Sequence, residues 1–198
     1  MPGLAIATPI AASTAAVANR FVTSTNMKVG AYTLANTTPV WAGGCFVTCA
    51  HVTVTGTDTL GTVAVVGVDL AGNVRTDTIV PVADSTVTGI IAFRTITSIT
   101  GSGWVINTGN DTIQFGCAAG SIVSGTSGTL YAIVVNATAA ATIVVSDSVK
   151  TIATLAASIA NGHYLYGPGV DFVGYLKVAT TSTNDITVIA SPTNPGGI

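Results

Sequence analysis

Thr or Ser cuts the apolar content of this chain at every second or third residue, in runs such as Val52-Thr53-Val54-Thr55 and Thr76-Asp77-Thr78-Ile79-Val80. Side chains of a strand alternate between its two faces, so this spacing turns apolar groups one way and hydroxyls the other. The chain is expected to be all-β. Mean hydropathy is +0.67, yet the longest wholly apolar runs are a few residues, far short of the roughly 20 that cross a bilayer as a helix.

Charge is the second constraint. Only 7% of the 198 residues are charged and glutamate is absent, against roughly a quarter charged in an ordinary soluble domain. Charge keeps domains dissolved and apart from one another. Its scarcity removes most catalytic groups and most of the defence against association, and so predicts an assembly subunit. The six Lys and Arg residues (Arg20, Lys28, Arg75, Arg94, Lys150 and Lys177) form no basic stripe, which leaves counterion-release binding to nucleic acid little to work with. The start of the chain has no basic n-region, and Pro9, Ser13 and Thr14 break the apolar stretch that follows. A secretory signal is not expected, and the chain is expected to be made in the cytoplasm. Three cysteines, Cys45, Cys49 and Cys117, then read as buried thiols rather than as a disulfide framework.

Residues 1–35 are Ala/Thr-rich with little periodicity. They read as an extended N-terminal arm, with a short helical turn around Ile10–Ala18, that gains order by lying on a neighbour. Residues 36–120 read as a first β-sandwich domain. Its strands are expected at Val52–Thr55, Thr62–Val68, Val74–Val80, Ile90–Ile99 and Asp111–Cys117, with turns at Gly56–Gly61 and Asp69–Asn73. Pro81 should end one of them. The Gly- and Ser-rich run 121–128 reads as a linker. Residues 129–198 read as a second β-sandwich, with strands at Leu130–Asn136, Thr142–Ser146, Val170–Val178 and Ile186–Ala190. In the segment 151–161, Ile152, Leu155, Ala156 and Ile159 fall at helical spacing, while Thr151, Thr154 and Ser158 suit a helix poorly. A short helix and a strand with an irregular loop both stay open there.

Candidate chemistry is thin. Cys45, Cys49 and His51 share a face if they lie on one strand, but residues four apart on a strand are about 13 Å apart. Two thiolates on one zinc must lie about 4 Å apart, given Zn–S distances near 2.3 Å. A metal site is not expected, and Cys117 is a packing partner for one of the other two. Asp58, Asp69, Asp77, Asp84 and Asp111 match no calcium-loop pattern. Asp58 and Asp69 sit where a turn carboxylate bonds backbone N–H groups. His163 lies in the aromatic stretch Asn161–Gly169, which reads as a contact surface because Tyr supplies area at low entropic cost. Two histidines, no glutamate and no Gly-x-Ser-x-Gly elbow leave no nucleophile–base pair, so an enzyme is not expected. Gly101-Ser102-Gly103 lacks the remaining glycine of a dinucleotide loop and reads as an ordinary loop.

Val52-Thr53-Val54-Thr55-Gly56-Thr57-Asp58, then Val68-Asp69-Leu70-Ala71-Gly72-Asn73-Val74, then Thr88-Gly89-Ile90-Ile91-Ala92-Phe93-Arg94-Thr95-Ile96 resemble structural proteins of tailed bacteriophages. Gly128–Ala137 with Thr142–Asp147 resembles a β-module of the same particles. The resemblance spans roughly residues 41–190 and leaves out 1–35. It implies a virion component built of two β-sandwich or jelly-roll-like modules. The first expectation is a capsid decoration (cement) protein, a homotrimer that binds the major capsid protein and stabilises the shell, located on the virion. A tail, baseplate or fibre subunit is the alternative. A carbohydrate-binding module that stacks sugars on Trp41, Trp104, Tyr164 and Tyr166 is a second alternative. No catalytic, cofactor or metal residue is implied. Neither are nucleic acid, membrane or a small-molecule substrate as partners.

Overall fold

The computed structural model describes residues 5–10, 16–40, 44–53, 59–105, 111–137, 139–180 and 184–192. It is all-β: fourteen strands, one short 3-10 turn and no α-helix among the described residues. The strands in chain order are β1 (Ile6–Ile10), β2 (Val17–Asn26), β3 (Cys45–Thr53), β4 (Thr59–Asp69), β5 (Val74–Ile79), β6 (Thr86–Val105), β7 (Thr112–Cys117), β8 (Ser121–Ser124), β9 (Gly128–Val135), β10 (Ile143–Ser146), β11 (Thr151–Leu155), β12 (Gly162–Phe172), β13 (Leu176–Thr180) and β14 (Ile186–Pro192). They divide into two compact units. One is Ala16–Ala118; the other joins Met1–Ala15 to Ala119–Ile198.

The discontinuous unit holds two four-stranded antiparallel sheets, ordered β1-β14-β9-β12 and β11-β10-β13-β8. Counted along this unit alone, its eight strands lie first-eighth-third-sixth in one sheet and fifth-fourth-seventh-second in the other. That order defines a jelly roll, two interlocked Greek keys. One core serves both sheets: Leu130, Ile133, Ile186 and Val188 from one meet Ile143, Val145, Leu176 and Val178 from the other. The alternating burial along β13 and β14 is the period-2 pattern read from the sequence.

The contiguous unit, Ala16–Ala118, is inserted between the first and second strands of that jelly roll. It forms a single six-stranded sheet, β2-β7-β3-β6-β4-β5. The twenty-residue β6 folds this sheet over, pairing with β3 through residues 86–93 and with β4 through 93–105. The segment after β2 then runs along the other side of β6. Tyr32 N–H donates to Ile99 O at 3.1 Å, Ile96 N–H to Thr37 O at 2.7 Å and Gly101 N–H to Gly30 O at 2.6 Å. Phe21, Phe93, Phe115, Met27 and Tyr32 fill the enclosed core. Tyr32 stacks on Phe115 with ring centroids 5.2 Å apart and donates its hydroxyl to Met27 O at 2.9 Å.

Several expectations are corrected here. Residues 1–35 do not form one extended arm. β1 is an edge strand of the jelly roll paired with β14, and β2 is paired with β7. Pro9 is tolerated because an edge position leaves one side of the strand without a ladder to complete. Of the helical turn expected at Ile10–Ala18, residues 11–15 lie outside the described set, while Ile10 ends β1 and Val17 opens β2. The expected linker 121–128 begins with strand β8, whose Ile122 is buried against β13; only 125–127 turn. Of the two readings left open for 151–161, the strand with an irregular loop is the one found: residues 151–155 are strand β11, and the chain then turns through Ser158 at φ 63°. The single strand expected at Val170–Val178 is two, split at Gly174 with φ 75°. Part of the turn expected at Gly56–Gly61 is strand, since β4 starts at Thr59; residues 54–58 lie outside the described set.

Gly116 shows how closely β2 crosses β7. The β2–β7 register skips between Val17 and Val22, so the bulged backbone lies over Gly116, and a Cβ there would run into Val17 O and the Ala18 carbonyl. Gly116→Ala is expected to destabilise the inserted unit by about 1–3 kcal/mol, the usual cost of overpacking. The check is denaturant unfolding followed by tryptophan fluorescence, because Trp41 and Trp104 both belong to this unit.

Candidate functional site

The inward face of β3 carries Cys45, Val47, Cys49 and His51, all buried. Their partners differ. Cys45 Sγ meets Cys117 Sγ at 2.7 Å, and His51 Nε2 lies 3.2 Å from Asp111 Oδ2 with both side chains fully buried. The S–H of Cys45 bonds the Cys117 sulfur, which raises Cys45 far above the thiol range, with burial adding to it. The same bond lowers Cys117, against the effect of burial, helped by the Val40 backbone and the Arg20 guanidinium. Burial pushes Cys49 up to about 12, where a thiol is a poor nucleophile at neutral pH. Among the described residues no three His, Cys, Asp or Glu side chains are grouped to hold a metal ion.

The aspartates act on backbone. Asp69 Oδ1 accepts the Ala71 and Asn73 N–H groups, each at 2.9 Å, and so closes the β4–β5 hairpin. Asp77, buried on the inner face of β5, accepts Ile90 N–H at 2.8 Å and Ile91 N–H at 3.1 Å. It thereby ties the sheet's edge to the first half of β6 without a backbone ladder. Asp84 sits in the turn after β5 at φ 49°. Asp58 lies outside the described residues. Asp147 was not singled out from the sequence, yet it organises one end of the jelly roll. Its carboxylate accepts Val149 and Lys150 N–H at 2.7 Å and Val173 N–H at 3.2 Å, joining the β10–β11 turn to the β12–β13 turn. The only sequence signal for it is an Asp-Ser pair closing an apolar strand.

The aromatic residues are divided between the units. Trp41 lies outside the described residues. Trp104 is half-buried against the core of the inserted unit, its ring over Gly101. Tyr164 and Tyr166 pack on the jelly-roll core, and Tyr164 spends its hydroxyl on Ala160 O at 2.8 Å. Alternating with them, His163 and Leu165 point outward, Leu165 at 73% exposure. A depression of about 250 Å³ beside Tyr32 is lined by Val22, Thr23, Thr25 and Val29 and carries no charged group.

The outer face of β6, β4 and β5 offers more. In register across the three strands lie Ser98–Val66–Thr76 and Thr100–Ala64–Thr78. All six are half-buried or exposed. At the end of β5, Val74 is 74% exposed. These rows contain no formal charge, and Asp77 is turned to the opposite face. The result is a pleated surface of methyl and hydroxyl groups with no charge to repel a copy of itself. No known protein family, curated protein or solved structure matches the chain.

Proposed function

We propose that this protein is a structural component of a tailed-bacteriophage particle, a capsid decoration protein that clamps the shell. Its partners in this reading are the major capsid protein and further copies of itself in a homotrimer. The observation that carries the reading is the pair of uncharged rows that crosses β6, β4 and β5. Such a face gains roughly 25 cal/mol for each Å² of apolar area covered, less the cost of association. It desolvates no ionic group in doing so, and many weak copies on one shell add up through avidity. The jelly-roll order supports the same reading, being an architecture that viral capsid domains use.

The test uses particles of the encoding virus that lack the protein. The purified chain should rebind them and restore resistance to heat and osmotic shock. Val66→Lys and Thr76→Lys each place an unpaired ammonium in the contact. Both variants should rebind roughly 100-fold more weakly or worse, since an uncompensated buried charge costs several kcal/mol. Both should keep the wild-type unfolding midpoint. A chain that never rebinds, with bare particles as robust as complete ones, ends the proposal.

A further inference from the structure

The geometry points to a closable dithiol: oxidised by a peroxide, Cys45 and Cys117 join as a disulfide that staples β3 to β7 inside the inserted unit. Val47 is opposite Cys117 in the antiparallel register, which makes Cys45 its diagonal neighbour on the same inward face. Their sulfurs are already 2.7 Å apart. An S–S bond of about 2.05 Å requires the two to close by only ~0.7 Å. Both side chains are fully buried in a packed core, which holds them facing one another.

The electrostatics suit the first step. Arg20 bonds Thr38 O at 2.8 Å through Nε, and its charge acts on both thiols. Cys117 is the sulfur that gives up its proton more readily, with the Cys45 S–H directed at it. The oxidant is hydrogen peroxide, small enough to enter through a local opening of the strands. The Cys117 thiolate attacks one peroxide oxygen. An S–O bond forms, the O–O bond breaks, and hydroxide leaves to become water on taking up a proton. Cys45 Sγ then attacks the sulfenic sulfur. The S–S bond forms, the S–O bond breaks, and the second hydroxide departs as water with the Cys45 proton. Two thiols lose two electrons, and the peroxide gains them.

The staple closes a loop spanning 72 positions, and long loops are those whose closure restricts the unfolded chain most. A chain made among cytoplasmic reductants stays open, and one moved to an aerobic medium locks. Cys49 is the internal control, being buried on the same strand and diagonal to Cys117 on its other side.

The experiment takes the full chain, fully reduced, and treats it with hydrogen peroxide before alkylation with a maleimide in denaturant. The oxidised chain is expected to take up one maleimide where the reduced chain takes three. Its digest should contain one peptide pair joining Cys45 to Cys117. The oxidised chain should also unfold at a higher guanidinium concentration than the reduced one, a difference erased by a dithiol reductant. Cys49→Ala should leave pairing and stabilisation intact, and the two wild-type states suffice if that variant misfolds. Three maleimides after oxidation, a Cys49-linked peptide, or sulfinic acid on a single cysteine would each overturn the inference.

Discussion

Asp111→Ala is expected to cost the inserted unit about 1–3 kcal/mol, the range for stripping a buried polar group of its polar neighbour. His51 and Asp111 both lie at zero side-chain exposure, so water cannot replace the lost carboxylate. The measurement is guanidinium unfolding followed by tryptophan fluorescence. The two groups lie in contact, so the double variant His51→Phe/Asp111→Leu should lose distinctly less than the sum of the two single changes. Equal, additive losses would mean that the two groups are neighbours without an energetic link.

Asp147→Ala should loosen one end of the jelly roll by about 2 kcal/mol, since hydrogen bonds to a charged group contribute more than neutral ones. Burial pushes the Asp147 carboxyl upward, but the Val149, Lys150 and Val173 N–H groups, with the Lys150 charge, outweigh it and hold the group below its ordinary 3.8. A lowered folded-state value means that the unfolded chain binds the proton more tightly. The contribution is therefore fully present above the ordinary carboxylate value and is lost as pH falls through the folded one. Hydrogen exchange at the Val149, Lys150 and Val173 amides should accelerate in the variant at neutral pH. In the wild type the same amides should lose protection, measured against their intrinsic exchange rate at each pH, only as the solution is acidified below about pH 4. Amides that exchange alike in both proteins would remove Asp147 from this role.

The local strand pattern is legible in the chain, and its long-range partners are not. Val63, Val65 and Ile79 alternate inward as their spacing requires, and the Asp69 turn follows from its carboxylate and the glycine after it. β6 is longer than the strand expected at Ile90–Ile99, and it runs on through Gly89 at one end and through Gly101-Ser102-Gly103, read as a loop, at the other. In the structure each has a local cause: Gly89 makes room for the Asp77 carboxylate and Gly101 for the Trp104 ring, while Gly103 takes φ 77°. β1 gave no warning, because an Ala/Thr/Pro segment acquires its strand character from β14, about 180 positions away. The His51–Asp111 pair is hidden for the same reason, since its members sit 60 positions apart and neither belongs to a motif.

The split jelly roll also sets a timetable. During synthesis β1 is made well before its partner β14, and it cannot pair until β14 follows about 180 positions later. The inserted unit is contiguous and can complete its core as soon as residue 118 is free. Synthesis thus produces a half-folded species whose discontinuous unit holds one strand and waits for seven. Long sequence separation of this kind slows pairing, so the joining of β14 to β1 is expected to be a late and slow step in closing the jelly roll.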